Sequence, residues 1–152
     1  MNKKNGIIFF VGLLFILGLL FVQKFLLTTR YTLTTITIGS LTLHVEIAKT
    51  PDAMTKGLGD RNSIGSDGML FILPSRQVPY FWMKDMRFGL DFVWIDDGKV
   101  AALTPDAPAE PGVSDAQLKI YSPKTAMTQV LEINEGDIAK WGIKMGDQVN
   151  IQ

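Results

Sequence analysis

The densest run of reactive side chains in this sequence is Phe81-Trp82-Met83-Lys84-Asp85-Met86-Arg87-Phe88-Gly89-Leu90-Asp91. Asp85 and Asp91 are a pair of the kind that supplies the general acid and base of glycoside or ester hydrolysis, provided burial or Lys84 drives their pKa values apart. An enzyme built on them needs further convergent polar groups, and Arg61 and Glu132 are the candidates. The architectural alternative has Asp91 accepting backbone hydrogen bonds to fix a turn while Lys84 pairs with a nearby acid. Trp82, with Tyr80 or Phe81, offers a stacking platform for a flat ligand or a sugar ring. Alternating aromatics in a β domain more often fill the core, so Trp82 is expected to pack.

Soft-metal chemistry has weaker support. Met54, Met69, Met83, Met86, Met127 and Met145, with the single His44, are thioethers and an imidazole that suit copper(I), but they are not grouped as ligands usually are, and methionine commonly fills core gaps. His44 falls on the polar face of its strand, away from any second ligand except Glu46. No serine has a nucleophile-elbow context, and one histidine leaves a triad improbable. The glycines form no phosphate cradle, and no metal or other cofactor is expected. The absence of cysteine excludes disulfides, thiolate catalysis, Cys-ligated zinc and a lipoprotein anchor.

The elements that must position these residues follow from patterning. Residues 1–5 form a basic tail, and Gly6 opens an apolar run that ends at Leu27, broken only by Gln23-Lys24. A helix of that length spans roughly 30 Å, the thickness of a hydrocarbon core. No small-residue cleavage site follows, which favours an uncleaved single-pass transmembrane anchor over a signal peptide. Lys3 and Lys4 favour a cytoplasmic N-terminus, although Lys24 and Arg30 oppose them, and the remaining domain is expected outside the cytoplasm. Residues 28–152 suffice for one globular domain. Beyond the anchor, 12 basic residues face 15 acidic ones with no basic cluster, so nucleic acid is not an expected partner.

Leu41, Leu43, Val45 and Ile47 alternate with polar residues as a half-buried strand does, after a Gly39-Ser40 turn. Thr50-Pro51-Asp52 signals a helix start, and Gly57 its stop. Gly68 to Leu73 reads as a buried strand ended by Pro74, and Pro79 to Met83 as another. Asp96-Asp97-Gly98 supplies a type I′ turn between Phe92–Ile95 and Lys99–Leu103. Thr104 to Gln117, with three prolines, reads as a long surface loop. Thr128 to Ile133 is a strand, Asn134 caps a short helix with Asp137 in the capping-box position, and Gly142 ends it. The sum is a mostly β (α+β) fold, a compact mixed β-barrel or sandwich of six or seven short strands with two short helices.

Taken together, Lys56-Gly57-Leu58, Arg61, Gly68-Met69-Leu70-Phe71, Phe81-Trp82-Met83-Lys84-Asp85, Leu90-Asp91, Val130-Leu131-Glu132 and Gly146-Asp147-x-Val149 resemble the domain of unknown function 192 family, over about residues 43–151. The resemblance implies a bacterial or archaeal protein behind an N-terminal membrane or export segment, with no established activity. The family pattern usually has methionine where Gly59 stands, asparagine-threonine where Asp85-Met86 stand, and often proline where Gly89 stands. The expected function is a membrane-anchored envelope module. It binds a small ligand or an envelope protein through Arg61, Trp82, Lys84, Asp85, Asp91 and Glu132 and the Thr104 to Gln117 loop. A hydrolase of envelope material using Asp85 and Asp91 is the alternative, and a copper-binding protein the lesser one.

Overall fold

Strand alternation, turn residues and two helix caps organise the chain into one curled sheet. The computed structural model describes residues 31–152, which form a single compact unit. The expected basic tail and the anchor over residues 6–27 lie outside the described residues. No described helix is long and apolar enough to cross a membrane. The strands are β1 (Thr32–Ile38), β2 (Leu41–Ala48), β3 (Gly68–Gln77), β4 (Leu90–Asp96), β5 (Lys99–Ala107), β6 (Met127–Asn134) and β7 (Val149–Ile151). Two short helices, α1 (Pro51–Lys56) and α2 (Asp137–Trp141), sit between them. The sheet order is β5-β4-β6-β3-β2-β1-β7, with β2 and β3 parallel and every other pairing antiparallel.

The edges of this sheet meet at one end. Val149 donates its N–H to Gly98 O at 2.8 Å, and Val100 donates to Asp147 O at 2.9 Å, so the β4–β5 turn touches the start of β7. The result is a curled half-barrel and not two stacked sheets. Residues from all seven strands, among them Ile36, Val45, Leu70, Val93, Val100, Leu131 and Val149, share one apolar cluster, which only the inside of the curl permits. The alternate positions Met69, Phe71, Phe92, Trp94 and Val130 form a second cluster on the outer face with Leu58, Met83 and Tyr121 from the connecting loops. Burial on both faces explains why β3 and β4 read as continuous apolar runs.

Local signals account for several boundaries. Thr50 Oγ1 accepts the Ala53 N–H at 3.2 Å to cap α1. The Asp97-Gly98 turn has φ values of 50° and 66°, as a type I′ hairpin requires, with Asp96 paired to Lys99. Gly142 closes α2 at φ 66°. Other expectations need correction. β3 does not stop at Pro74 but runs to Gln77, with its register against β6 shifted between Ile72 and Gln77, as a strand must where proline removes a ladder donor. β5 continues through Pro105 to Ala107, so the proline-rich connection starts at residue 108 and contains a 3-10 turn at Asp115–Gln117. Pro79 to Met83 is no strand: its one ladder contact is the bridge between Phe81 and Tyr121. Gly136, at φ 84°, and not Asn134, occupies the cap of α2, while Asn134 Nδ2 lies 3.4 Å from Asp137 Oδ2.

Candidate functional site

On the outer face of β3 and β6 the loops stand away from the sheet and leave a cleft of about 730 Å³. One wall is α1 and the turn after it, from Met54 to Gly59; the other runs from Leu73 along the connecting segment to Met86. This segment lacks regular structure but is fixed. Phe81 and Tyr121 exchange backbone hydrogen bonds at 2.9 and 2.8 Å, Ser122 Oγ donates to Pro79 O at 2.8 Å, and Asp60 N donates to Asp85 O at 2.8 Å. Asp85 turns the chain at φ 57°, a left-handed conformation that aspartate tolerates better than most residues.

The Phe81 ring packs edge-on against Phe71 at 5.0 Å and Trp94 at 5.7 Å, and Met83 is buried beside them. Between them Trp82 turns outward and is 50% exposed, and Tyr80 is 75% exposed. The expectation that Trp82 packs is therefore corrected: the core positions are taken by its two neighbours, and the indole lines the cleft. Lys84 and Asp85 also line it. Lys84 Nζ pairs with the Asp115 carboxylate, which raises the ammonium pKa. Lys56 on the opposite wall pairs with Asp60 at 2.6 Å.

Glu132 lies at the back of the cleft. It pairs in register with Met69 on one side and Phe92 on the other, so its side chain joins the outer apolar face with Val130. It is 5% exposed, and among the described residues no donor or cation meets its carboxyl, whose oxygens keep some exposure; the fully enclosed side-chain polar atom without a partner is the Tyr121 hydroxyl. Burial pushes the Glu132 pKa up to about 8. The other two buried acids are satisfied: Asp137 takes Lys140 Nζ at 2.8 Å, and Asp91 takes two backbone amides.

Asp91 does not share the cleft. Alternation along β4 puts it with Val93 on the inner side, where Oδ1 accepts Asp106 N and Oδ2 accepts Ile138 N, both at 2.8 Å. Asp106 belongs to the β5 bulge opposite Asp91. Arg61 is elsewhere too. Its Nη1 and Nη2 donate to Glu46 Oε1 and Oε2 at 2.9 and 2.7 Å, Nη1 also to Ile64 O, and its guanidinium lies over the Tyr31 ring. The bonds to Glu46 raise its pKa. The structure thus brings Trp82, Lys84, Asp85 and Glu132 together and sets Arg61 and Asp91 apart as braces. Of the methionines, Met69, Met83 and Met127 fill the core, Met54 and Met86 line the cleft, and Met145 is on the surface. His44 is exposed, with Nδ1 at 3.3 Å from Thr35 Oγ1.

Residues 34–151 match the domain of unknown function 192 (DUF192), described as Uncharacterized ACR, and the chain belongs to that family. Two solved structures share its fold. A candidate transcription regulator from Sinorhizobium meliloti 1021 superposes with a TM-score of 0.72 at 25% identity, covering 81% of this chain and 96% of that one. A protein of unknown function from Novosphingobium aromaticivorans DSM 12444 gives 0.71 at 26% identity, covering 82% and 89%. No curated protein matches the chain.

Proposed function

We propose that this chain is a membrane-anchored envelope module whose outward-facing domain binds a small, largely apolar ligand in the cleft between α1 and the Trp82 segment. The observation that carries the reading is the cleft itself. It has the volume of a small-molecule site, walls of Met54, Leu58, Phe71, Leu73 and Phe81, an exposed indole at its edge and a few polar groups, Glu132, Gln77, Lys84 and Asp85 among them. The fixed loop favours binding without a large ordering cost. The apolar run over residues 6–27 supports the anchor. The net acidic composition beyond the anchor argues against a nucleic-acid partner for this chain.

The test uses the three indole N–H signals of the full chain in nanodiscs. Fragments of apolar and aromatic character are expected to shift the Trp82 signal and leave Trp94, buried and bonded to Thr104 at 2.9 Å, unmoved. Calorimetric affinity that survives Trp82→Ala unchanged, or binding to the wild type that moves only Trp94 and Trp141, overturns the cleft as the site. Protease added to spheroplasts is expected to digest the domain, and complete protection overturns its outward placement. Hydrolysis is a second reading favoured by one feature, the raised pKa of Glu132, which suits a general acid in a way that the doubly bonded Asp91 does not. Turnover of a bound fragment that disappears in Glu132→Gln decides for it.

A further inference from the structure

The fold has no use for an acid at position 132. Its in-register neighbours are Met69 and Phe92, and an apolar side chain there would avoid desolvating a carboxyl. Every other buried acid among the described residues has its oxygens met by donors, whereas Glu132 has none. A largely buried acid whose oxygens meet no protein donor, and which lines a ligand-sized cleft, marks a place where a ligand can supply the partner.

The chemistry of that partner follows from what the cleft lacks and what it offers. Two carboxyl oxygens meet no protein donor, and the cleft they share is lined by the apolar Met54, Leu58, Phe71, Phe81 and Met86 as well as by Thr55 and Gln77. A neutral acceptor satisfies only the acid proton and leaves the carbonyl oxygen bare, while an ammonium with its N–H donors satisfies both oxygens of the ionised group. Aromatic rings favour a cation over an anion. The charged groups facing the cleft leave room for a cation: Lys56 from α1 pairs with Asp60 and Lys84 with Asp115, while Asp85 forms no ion pair among the described residues.

We infer that the cleft takes an organic cation, an ammonium carried on an aromatic or branched aliphatic body, with Glu132 as its counter-ion and Trp82 at its outer wall. The inference rests on the cleft being the ligand site. With the carboxyl pushed up to about 8, ionising it at pH 7 costs the ligand about tenfold in affinity, which a contact ion pair in a water-poor cleft exceeds.

The test compares three isosteric probes on the full chain in zwitterionic nanodiscs at pH 7.5, followed at the Trp82 indole: 2-phenylethylammonium, 2-phenylethanol and phenylacetate. The ammonium is expected to bind at least about tenfold tighter than the alcohol, with phenylacetate weakest. Glu132→Gln, which keeps the volume, should erase the difference, and Trp82→Ala, followed by calorimetry because the reporter indole is gone, should weaken ammonium and alcohol alike. In the wild type only, ammonium affinity should climb between pH 6 and pH 8. Equal binding of alcohol and ammonium to the wild type overturns the cation while leaving the cleft as a site, and so does a preference that persists in Glu132→Gln. Tighter binding of phenylacetate overturns it in favour of the rim lysines. If no probe moves Trp82, the inference and the ligand-site reading fall together.

Discussion

The carboxylate of Asp91 accepts the backbone N–H of Ile138 at 2.8 Å, so a side chain in β4 caps a helix 47 residues further along the chain. Its other oxygen accepts Asp106 N at the β5 bulge, also at 2.8 Å. One buried side chain thereby ties the end of β5 and the start of α2 to the central strand, and this bracket has a measurable consequence.

Asp91→Asn keeps one acceptor oxygen and points an amide N–H₂ at the other donor, so one bond to a charged acceptor is lost and one buried N–H is orphaned. The expected cost is about 3 kcal/mol, with Asp91→Ala costing more. Urea denaturation of both variants measures this. A loss below about 1 kcal/mol for Asp91→Asn would mean that the bracket carries little of the fold.

Asp91 also illustrates what is legible in a sequence of this kind. The Asp97-Gly98 hairpin, the Thr50 cap and the Gly142 stop depend on neighbours within a few residues, and each was readable. A capping box is a local signal and points to Asn134 as the cap of α2, but the acceptor comes from a distant strand. Alternation with aromatic neighbours points Trp82 into the core. Phe81 and Met83 fill that core instead, because the bridge to Tyr121 fixes which of the alternating residues turns inward. The burial of Glu132 is legible in its neighbours. It stands two residues after Val130, between Leu131 and Ile133, in a strand apolar on both faces, so an acid at that position had to be buried.

The contrast between two tryptophans tests the position of the cleft. Trp94, 1% exposed and stacked on Phe92 at 5.4 Å, should cost about 3 to 5 kcal/mol when replaced by alanine, through the cavity it leaves. Trp82→Ala, removing a half-exposed ring, should change stability by less than about 1 kcal/mol. Thermal unfolding of the two variants side by side is sufficient. A drop for Trp82→Ala as large as that for Trp94→Ala would put the indole in the core and close the cleft.

Arg61 makes a different forecast. Its guanidinium bridges β2, through Glu46, and the Ile64 carbonyl in the loop before β3, and both partners of the ion pair are largely shielded from water. Arg61→Ala leaves Glu46 shielded without its donor and should destabilise by about 3 kcal/mol. The double variant Arg61→Ala with Glu46→Gln should recover part of that loss, because no charge is then stranded. Strict additivity of the two single losses would show that the pair is not coupled.

Glu132 governs how stability depends on pH. The side chain's ordinary pKa of 4.5 applies in the unfolded chain, and burial raises it to about 8 in the folded one. Between these values the folded protein keeps a proton that the unfolded chain has released. Each unit of rising pH therefore favours unfolding by about 1.4 kcal/mol, and the contribution present below pH 4.5 is lost as pH passes 8, about 5 kcal/mol in all. That is a large share of the 5 to 15 kcal/mol typical of a domain. Glu132→Gln has no proton to lose, so the stability difference between it and the wild type isolates this one group from every other titration. The variant should match the wild type within about 1 kcal/mol near pH 4.5 and be the more stable by several kcal/mol at pH 9. Urea midpoints measured at intervals between these pH values trace the difference. Parallel curves for the two proteins would place the carboxyl in contact with water or with a cation of the protein itself, and the argument for an ammonium ligand would lose its footing.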